Sequence, residues 1–178
     1  YLFFIHINSF FFLIIHNFNL NKLKLNLCYA KANKSTKRIY IMKLTFIGNG
    51  NMARALIQGL KDGFDIEVIG RNAVSLDSLK QDIPSISTKV LKEVQDISGK
   101  NIILCVKPYS LHQLKPHLKG TANSLYSVLA GTSIQSLKDA ISSKSYIRCM
   151  PNLASTYQKS MTTIVGDEKL KVQAVSIF

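Results

Sequence analysis

The turn from Gly48 to Ala53, between a short apolar segment and a one-sided helical pattern, constrains the fold of this chain more than any other feature. The segment before it, Lys43-Leu44-Thr45-Phe46-Ile47, has the length and composition of a β-strand. The apolar residues after it recur at the spacing of one helix face, at Met52, Ala55, Leu56, Gly59 and Leu60. A strand that turns directly into a helix is half of a βαβ unit.

The same alternation of strand and helix continues to the end of the chain. Apolar runs predict strands over 66–69, 101–106, 124–129 and 146–148, and one-sided patterns predict helices over 73–82, 111–118 and 134–141. Almost wholly apolar strands are buried on both faces, as in a parallel sheet covered by helices. The sequence therefore predicts an α/β fold of the Rossmann type, with a doubly wound and mainly parallel sheet, over residues 42–178. Since the chain ends in the apolar run Val175–Phe178, we expect this domain to be truncated at its C-terminal end.

Residues 1–41 differ from the rest of the chain, with six Lys or Arg and no Asp or Glu. The apolar run Phe10–Ile15 is too short to span a bilayer, and no basic region precedes it as in a signal peptide. A transit peptide is one alternative, and translation of A,T-rich DNA upstream of a start codon at Met42 is another. We expect an irregular or partly helical extension that does not belong to the native protein.

The net charge of +13 does not by itself indicate a nucleic-acid partner, because nearly half of it lies in that extension. The remaining 137 residues hold 17 basic and 10 acidic side chains, the balance of a moderately basic domain. Such a domain attracts a polyanionic small molecule. We expect neither a nucleic acid nor a membrane among the partners.

The cysteines and histidines predict neither disulfides nor a metal site. Cys28, Cys105 and Cys149 are an odd number without CxxC spacing, which favours a reducing, cytoplasmic location. Cys105 and Cys149 fall in predicted strands, where thiols are usually inert core. His112 and His117 are five residues apart on one predicted helix and so face different sides.

The turn at residues 48–53 fits the pattern G-x-G-x-x-A, which binds the pyrophosphate of dinucleotides when it joins a strand to a helix. Gly48 allows the tight turn, Gly50 leaves room for the pyrophosphate, and Ala53 lets the helix approach the sheet. The N–H groups and positive dipole end of the helix then face the anion. The expected contacts of the cofactor here are Ile47, Gly48, Asn49, Gly50, Asn51, Met52 and Ala53.

The end of the second predicted strand selects between NAD and NADP. An acidic residue there binds the ribose 2′-hydroxyl of NAD, but this chain has Gly70-Arg71-Asn72, and Glu67 comes too early in the strand. Arg71 can pair with a 2′-phosphate. The alternative is that Arg71 is a solvated surface charge. We predict NADPH as the cofactor, with NADH as the alternative.

Three further segments follow predicted strands, where ligands bind in open α/β sheets. Val106-Lys107-Pro108 is the first, and we expect Lys107 to shape a pocket with its backbone and aliphatic stem rather than to catalyse. Ala130-Gly131-Thr132 is the second, with small side chains that admit a flat ring. Met150-Pro151-Asn152 is the third, and the Asn152 amide could bind a substrate carboxylate or the nicotinamide.

Four segments, in order IGNGNMARALIQGL, IILCVKPY, SVLAGTSI and IRCMPN, resemble the pyrroline-5-carboxylate reductases, and the match spans about residues 42–160. The resemblance implies that residues 48–53 hold the pyrophosphate and that Arg71 with Asn72 holds the ribose phosphate. It implies a nicotinamide pocket lined by Val106, Lys107, Pro108, Ala130 and Gly131, and a lower-ranked substrate contact at Pro151 and Asn152. Such enzymes pass hydride from NAD(P)H to the C=N carbon of pyrroline-5-carboxylate, the last step of proline synthesis.

The chain departs from that family in two places. After Asn152 it reads LASTYQKSMTT, where many relatives have a proline and a glycine-rich stretch. The family's helical C-terminal domain, which forms the dimer and contacts the substrate, has no counterpart in these residues, so we assign no catalytic residue. We expect residues 1–178 alone to bind NADPH weakly and to reduce little, and the full-length protein to be a homodimer or higher homo-oligomer.

Three alternatives remain from the sequence. The first is another NADP-dependent reductase on the same scaffold, of the β-hydroxyacid dehydrogenase or imine reductase type. The second is a nucleotide-sensing Rossmann domain without catalysis. The third is a membrane-anchored interaction protein, which requires residues 1–41 to be translated.

Overall fold

The computed structural model describes residues 42–178. Its strands are β1 (Lys43–Ile47), β2 (Asp65–Gly70), β3 (Ser87–Val90), β4 (Gln95–Asp96), β5 (Asn101–Leu104), β6 (Leu118–Lys119), β7 (Ser124–Ser127), β8 (Tyr146–Met150) and β9 (Thr163–Gly166). Its α-helices are α1 (Asn51–Leu60), α2 (Ala73–Asp82), α3 (Leu111–Leu114), α4 (Ile134–Ala140) and α5 (Glu168–Ile177), and short 3-10 helices cover Pro108–Ser110, Lys115–His117 and Leu153–Tyr157. The predicted N-terminal extension and Cys28 lie outside the described residues.

Seven strands form one sheet in the order β3-β2-β1-β5-β7-β8-β9, and β4 pairs with β6 separately. All neighbours in the large sheet are parallel except β8 and β9, which are antiparallel. From β1 the chain moves outward through β2 to β3, then returns to the other side of β1 with β5. The order therefore reverses between β1 and β5, and the predicted Rossmann-type, mainly parallel sheet is confirmed.

The core consists of two apolar clusters, one on each face of the sheet. Leu44 and Phe46 of β1 pack into the first cluster, whereas Ile47 packs into the second. The first cluster includes side chains of α1, α2 and α5, and the second includes side chains of α3 and α4. Because the central strands are covered on both faces, consecutive residues are apolar, which is why these strands lack an alternating pattern.

The prediction of one helix over 111–118 is wrong. The α-helix stops at Leu114, a 3-10 turn follows, and Leu118 lies in β6. Pro116 accounts for the break, since it has no N–H to continue the helical ladder and its ring clashes with the preceding turn.

Two predicted strands are shorter than expected, and five elements were not expected. The regular strand ends at Leu104 instead of residue 106, and at Ser127 instead of residue 129. Cys105 N–H still donates to the Ile47 carbonyl at 2.9 Å, so the chain remains tied to the sheet as it leaves β5. The unexpected elements are β3, β4, β6, β9 and α5; β3 and β9 alternate between exposed and half-buried residues, and β4 and β6 are only two residues long.

Glu67 of β2 belongs to a partly buried polar cluster away from the strand's carboxyl end. Its Oε2 accepts from Thr45 Oγ1 at 2.9 Å and from Lys100 Nζ at 2.5 Å. Burial alone would raise the pKa of Glu67, but the hydrogen bonds from Lys100 and Thr45 outweigh it and hold the pKa below its ordinary value of 4.5. The ionised cluster therefore stabilises the fold above about that pH, and the contribution is lost as the pH falls through the lowered pKa.

Replacing Glu67 by Gln is expected to lower the free energy of unfolding by about 1 to 2 kcal/mol at pH 7, because Lys100 loses its charged acceptor. The difference from the native chain should shrink as the pH falls below 4.5. Urea denaturation at neutral and acid pH measures both quantities, with the exposed Glu93→Gln as the matched control. An equal loss at both pH values would contradict the role assigned to the ionised carboxylate.

Candidate functional site

A groove of about 330 Å³ opens at the carboxyl ends of β1, β2 and β5. It lies where the strand order reverses, the position at which open α/β sheets bind ligands, and its volume suits a small-molecule site. Its lining residues are Ile47, Gly48, Asn49, Gly50, Ile69, Gly70, Arg71, Asn72, Leu91, Cys105, Val106, Lys107, Ser110, Gln113, Leu114 and His117.

Gly48 lines the groove, and its backbone has a conformation that other residues rarely adopt. Its φ is +106°, and its N–H donates to the Ile69 carbonyl at 2.8 Å. A Cβ added to Gly48 would lie 2.6 Å from the carbonyl oxygen of Cys105. The turn out of β1 therefore requires glycine for the fold itself.

Gly50, by contrast, has no structural need to be glycine. Its φ of −76° and ψ of −174° are open to any residue, and an added Cβ would meet nothing within 4 Å. Gly50 is the N-cap residue of α1, and no side chain caps this ten-residue helix. The N–H groups of the first turn have no partner within a helix, and no side chain caps them.

Asn49 carries a buried donor that nothing in residues 42–178 satisfies. Its Nδ2 is inaccessible to solvent and has no hydrogen-bond partner. Gly70 makes room for the side chain, because a Cβ there would lie 2.8 Å from Asn49 Oδ1. An unsatisfied buried N–H is unfavourable, so a ligand acceptor at this position would be stabilised.

The charged side chains of the groove favour an anion. Arg71 and Lys107 are among its lining residues, and none of the lining residues is Asp or Glu. Glu67, the nearest acidic residue in β2, is engaged by Thr45 and Lys100 as described above. A phosphate-bearing ligand therefore meets cations and uncapped N–H groups here.

The two cysteines of the described chain are unsuited to nucleophilic chemistry. Burial raises the pKa of the Cys105 thiol well above its ordinary range, and it raises the pKa of Cys149 to about 12. Both thiols therefore stay protonated at neutral pH, although Cys105 lines the groove.

The groove brings together eight of the residues singled out from the sequence: Ile47, Gly48, Asn49, Gly50, Arg71, Asn72, Val106 and Lys107. Asn51, Met52 and Ala53 form the first turn of α1 beside it, with Ala53 fully buried in the core. Pro108 begins the 3-10 turn after β5.

Four other sequence candidates lie further along the carboxyl edge of the sheet and do not line the groove. Ala130 and Gly131 are exposed after β7, and Gly131 has a φ of +65°. Pro151 and Asn152 follow β8. Asn152 Oδ1 accepts from the Ala154 N–H at 2.9 Å, so its carbonyl oxygen caps the next 3-10 helix. This bond leaves the amide nitrogen of Asn152 for a ligand.

The lining residues that sequence reasoning did not predict as contacts include Leu91, Ser110, Gln113, Leu114 and His117. Four of them come from the segment after β5, where the helical pattern marked Leu114 as core. Nothing in the local pattern indicated that Gln113 and His117 would face the glycine turn.

Within residues 42–178, no cluster of His, Cys, Asp or Glu could hold a metal ion. In the same part of the chain, no helix has the length and apolar character needed to cross a membrane.

The parallel sheet, the glycine turn and the groove at the switch point define a Rossmann-type domain of the nucleotide-binding class. More particularly, the chain belongs to the family described as "NADP oxidoreductase coenzyme F420-dependent", whose model matches residues 43–131, half of the chain.

Individual relatives agree with the resemblance drawn from the four sequence segments. A pyrroline-5-carboxylate reductase of Helicobacter pylori is 38% identical over 127 residues, which are 68% of this chain and 48% of the relative. The crystal structure of 1-pyrroline-5-carboxylate reductase from Streptococcus pyogenes matches with a TM-score of 0.62 at 24% identity, covering 77% of this chain and 54% of that one.

A pyrroline carboxylate reductase of Plasmodium falciparum, solved with NADP bound, matches with a TM-score of 0.54 at 20% identity and the same coverage, 77% and 54%. These two structural matches show the fold. The chain spans about half the length of the curated relatives it matches.

Proposed function

We propose that this chain is the cofactor-binding part of a reductase that uses NADPH to reduce 1-pyrroline-5-carboxylate to L-proline. The observation that carries the proposal is the groove at the switch point. There, helix α1 has no capping side chain, Gly50 leaves open space in front of it, and no Asp or Glu lines the groove. The relatives from Helicobacter pylori and Plasmodium falciparum bear the corresponding names, and the latter was solved with NADP.

The first turn of α1 would bind the pyrophosphate. N–H groups of Asn51, Met52 and Ala53 point out of the helix end, and Gly50 leaves the approach open. The unpaired Nδ2 of Asn49 would donate to a phosphate or ribose oxygen, which satisfies its buried N–H. Ile47 would contribute an apolar contact at the end of β1.

Arg71 and Asn72 would bind the ribose 2′-phosphate at the end of β2. Asn72 Oδ1 accepts from Ser75 N–H at 3.0 Å and so caps α2, which leaves its amide nitrogen free to donate. Arg71 forms no ion pair with a carboxylate of residues 42–178. An uncompensated guanidinium prefers a phosphate dianion to the neutral hydroxyl that NADH has there.

The nicotinamide would lie along the ends of β5 and β7, against Val106, Lys107, Pro108, Ala130 and Gly131. When bound, NADPH supplies a hydride for the imine carbon, and the imine nitrogen gains a proton. The exposed Lys107 precedes Pro108 in extended conformation, so its backbone and aliphatic stem would form one wall of the nicotinamide pocket.

Pro151 and Asn152 would approach the substrate. We propose a homodimer or larger homo-oligomer as the working assembly.

The test of this function is turnover by the complete reading frame that encodes these residues. Oxidation of NADPH is followed with pyrroline-5-carboxylate and with acyclic imines, and reduction of NADP+ is followed with β-hydroxy acids. Proline formation with the cyclic imine supports the proposal. Turnover confined to the other substrates, or NADPH binding without turnover of any, would overturn it in favour of a related reductase or a nucleotide sensor.

Replacing Arg71 by Asp should weaken NADPH binding about 10- to 100-fold, because a carboxylate would face the 2′-phosphate in place of the guanidinium. NADH binding should stay level or improve, since Asp can accept from the ribose hydroxyl. Fluorescence titration with both nucleotides measures the ratio. Lys144→Asp, an equal charge change at an exposed residue outside the groove, is the control. An unchanged ratio would mean that Arg71 is only a surface charge.

A further inference from the structure

Arg71 is held across the groove by a neutral partner. Its Nη1 donates to Oε1 of Gln113, 42 residues further along the chain, at 3.3 Å. Arg71 follows β2, Gln113 lies in α3, and both exposed side chains line the groove. The bond therefore joins the loop beyond β2 to the helix beyond β5.

The neutrality of Gln113 determines what Arg71 can do. A guanidinium has five N–H donors in a rigid fork, and this bond uses one of them. A carboxylate at position 113 would hold Arg71 as well but would also compensate its charge. The glutamine oxygen restrains the guanidinium and leaves both its charge and its other donors for an anion.

We propose that Gln113 is a positioning residue for nucleotide specificity: it orients Arg71 toward a phosphomonoester on the ribose 2′ position without neutralising it. This inference rests on the proposed function, because it takes the groove to be the NADPH site. Restraining a flexible Arg before binding reduces the conformational entropy lost with the ligand, so the effect falls on ligands that carry the 2′-phosphate.

The test compares ligands that differ only in that phosphate, on the 178-residue chain. Calorimetry gives the Kd of adenosine 2′,5′-bisphosphate and of 5′-AMP, and titration gives those of NADPH and NADH. Gln113→Met, similar in shape but a poor acceptor, should weaken the bisphosphate about 3- to 10-fold. Gln113→Glu should weaken it about 10-fold or more, because it adds a compensating charge. Both variants should leave 5′-AMP within about twofold of the native chain.

Two controls separate positioning from a structural or general electrostatic effect. Gln81→Glu makes the same charge change at an exposed glutamine of α2 outside the groove, and it should change neither ligand's Kd. In an Arg71→Met background, Gln113→Met should have no further effect, because it acts through Arg71.

Equal losses for both ligands, no loss at all, or a loss that persists without Arg71 would overturn this inference. If the native chain prefers NADPH and the Gln113 variants keep that preference, only the role of Gln113 falls. If the native chain binds neither NADPH nor NADH, the proposed function falls with it.

Discussion

Gly50→Val is expected to weaken NADPH and NADH binding about equally, by about 100-fold or more, while the domain keeps its fold. The Cβ of residue 50 would project into the open space above the N-terminus of α1, where no protein atom lies within 4 Å. A valine there would occupy the approach to the first-turn N–H groups. Since both nucleotides carry the same pyrophosphate, both should be excluded.

The fold should tolerate this change because the backbone at residue 50 is ordinary extended chain. Substituting glycine at a compatible φ reduces the entropy of the unfolded chain, whereas alanine is a poorer N-cap residue than glycine, so Gly50→Ala should leave stability within about 1 kcal/mol of the native value. Nucleotide titration and thermal denaturation on the same samples measure both effects.

Gly63→Val is the matched control, because a Cβ at Gly63 also meets nothing and Gly63 lies outside the groove. If Gly50→Val bound both nucleotides normally, the pyrophosphate would have to lie elsewhere, and the proposed function would lose its main support.

Gly48→Ala should have the opposite signature, a loss of stability of about 2 to 4 kcal/mol. The backbone at Gly48 has a φ of +106°, and the new Cβ would lie 2.6 Å from the Cys105 carbonyl oxygen. That oxygen belongs to the backbone beside β1, so relief requires β1 and the chain leaving β5 to separate. The Gly48 N–H bond to Ile69 would be strained as well.

Thermal denaturation should show this loss as a Tm lower by about 10 °C, with Gly63→Ala close to the native value. If Gly48→Ala also weakens nucleotide binding, the smaller fraction of folded protein should account for the whole effect. A variant with native Tm and impaired binding would mean that Gly48 acts on the ligand and not on the fold.

The first βαβ unit was predictable because its signals are local. The apolar strand, the glycine turn and the one-sided face of α1 lie within 18 residues, and the structure places them as expected. Arg71 and Asn72 were also found locally, from their place at the end of β2. The helix at 111–118 was mispredicted because the periodicity of Leu111, Leu114 and Leu118 outweighed the signal of Pro116.

Several groove residues that follow β3 and β5 could not be predicted from local signals. Gln113, His117 and Leu91 have neighbours in the groove that are far away in sequence, and polar or isolated residues leave no periodic trace. The strands β3 and β9 were missed for the same reason, since half-exposed edge strands carry little apolar signal.

The sequence by itself determined the α/β class, the site of the turn and the identity of its glycines, because strand burial and helix periodicity are properties of neighbouring residues. The motif had already assigned the tight turn to Gly48 and the open space to Gly50, and the tertiary structure supplied the physical cause: a Cβ on Gly48 would meet the Cys105 carbonyl, whereas a Cβ on Gly50 would meet nothing within 4 Å. Only the tertiary structure decided that Glu67 is bound to Lys100, and that Arg71 meets Gln113. Those pairs form only when the sheet brings strand ends together from distant parts of the chain.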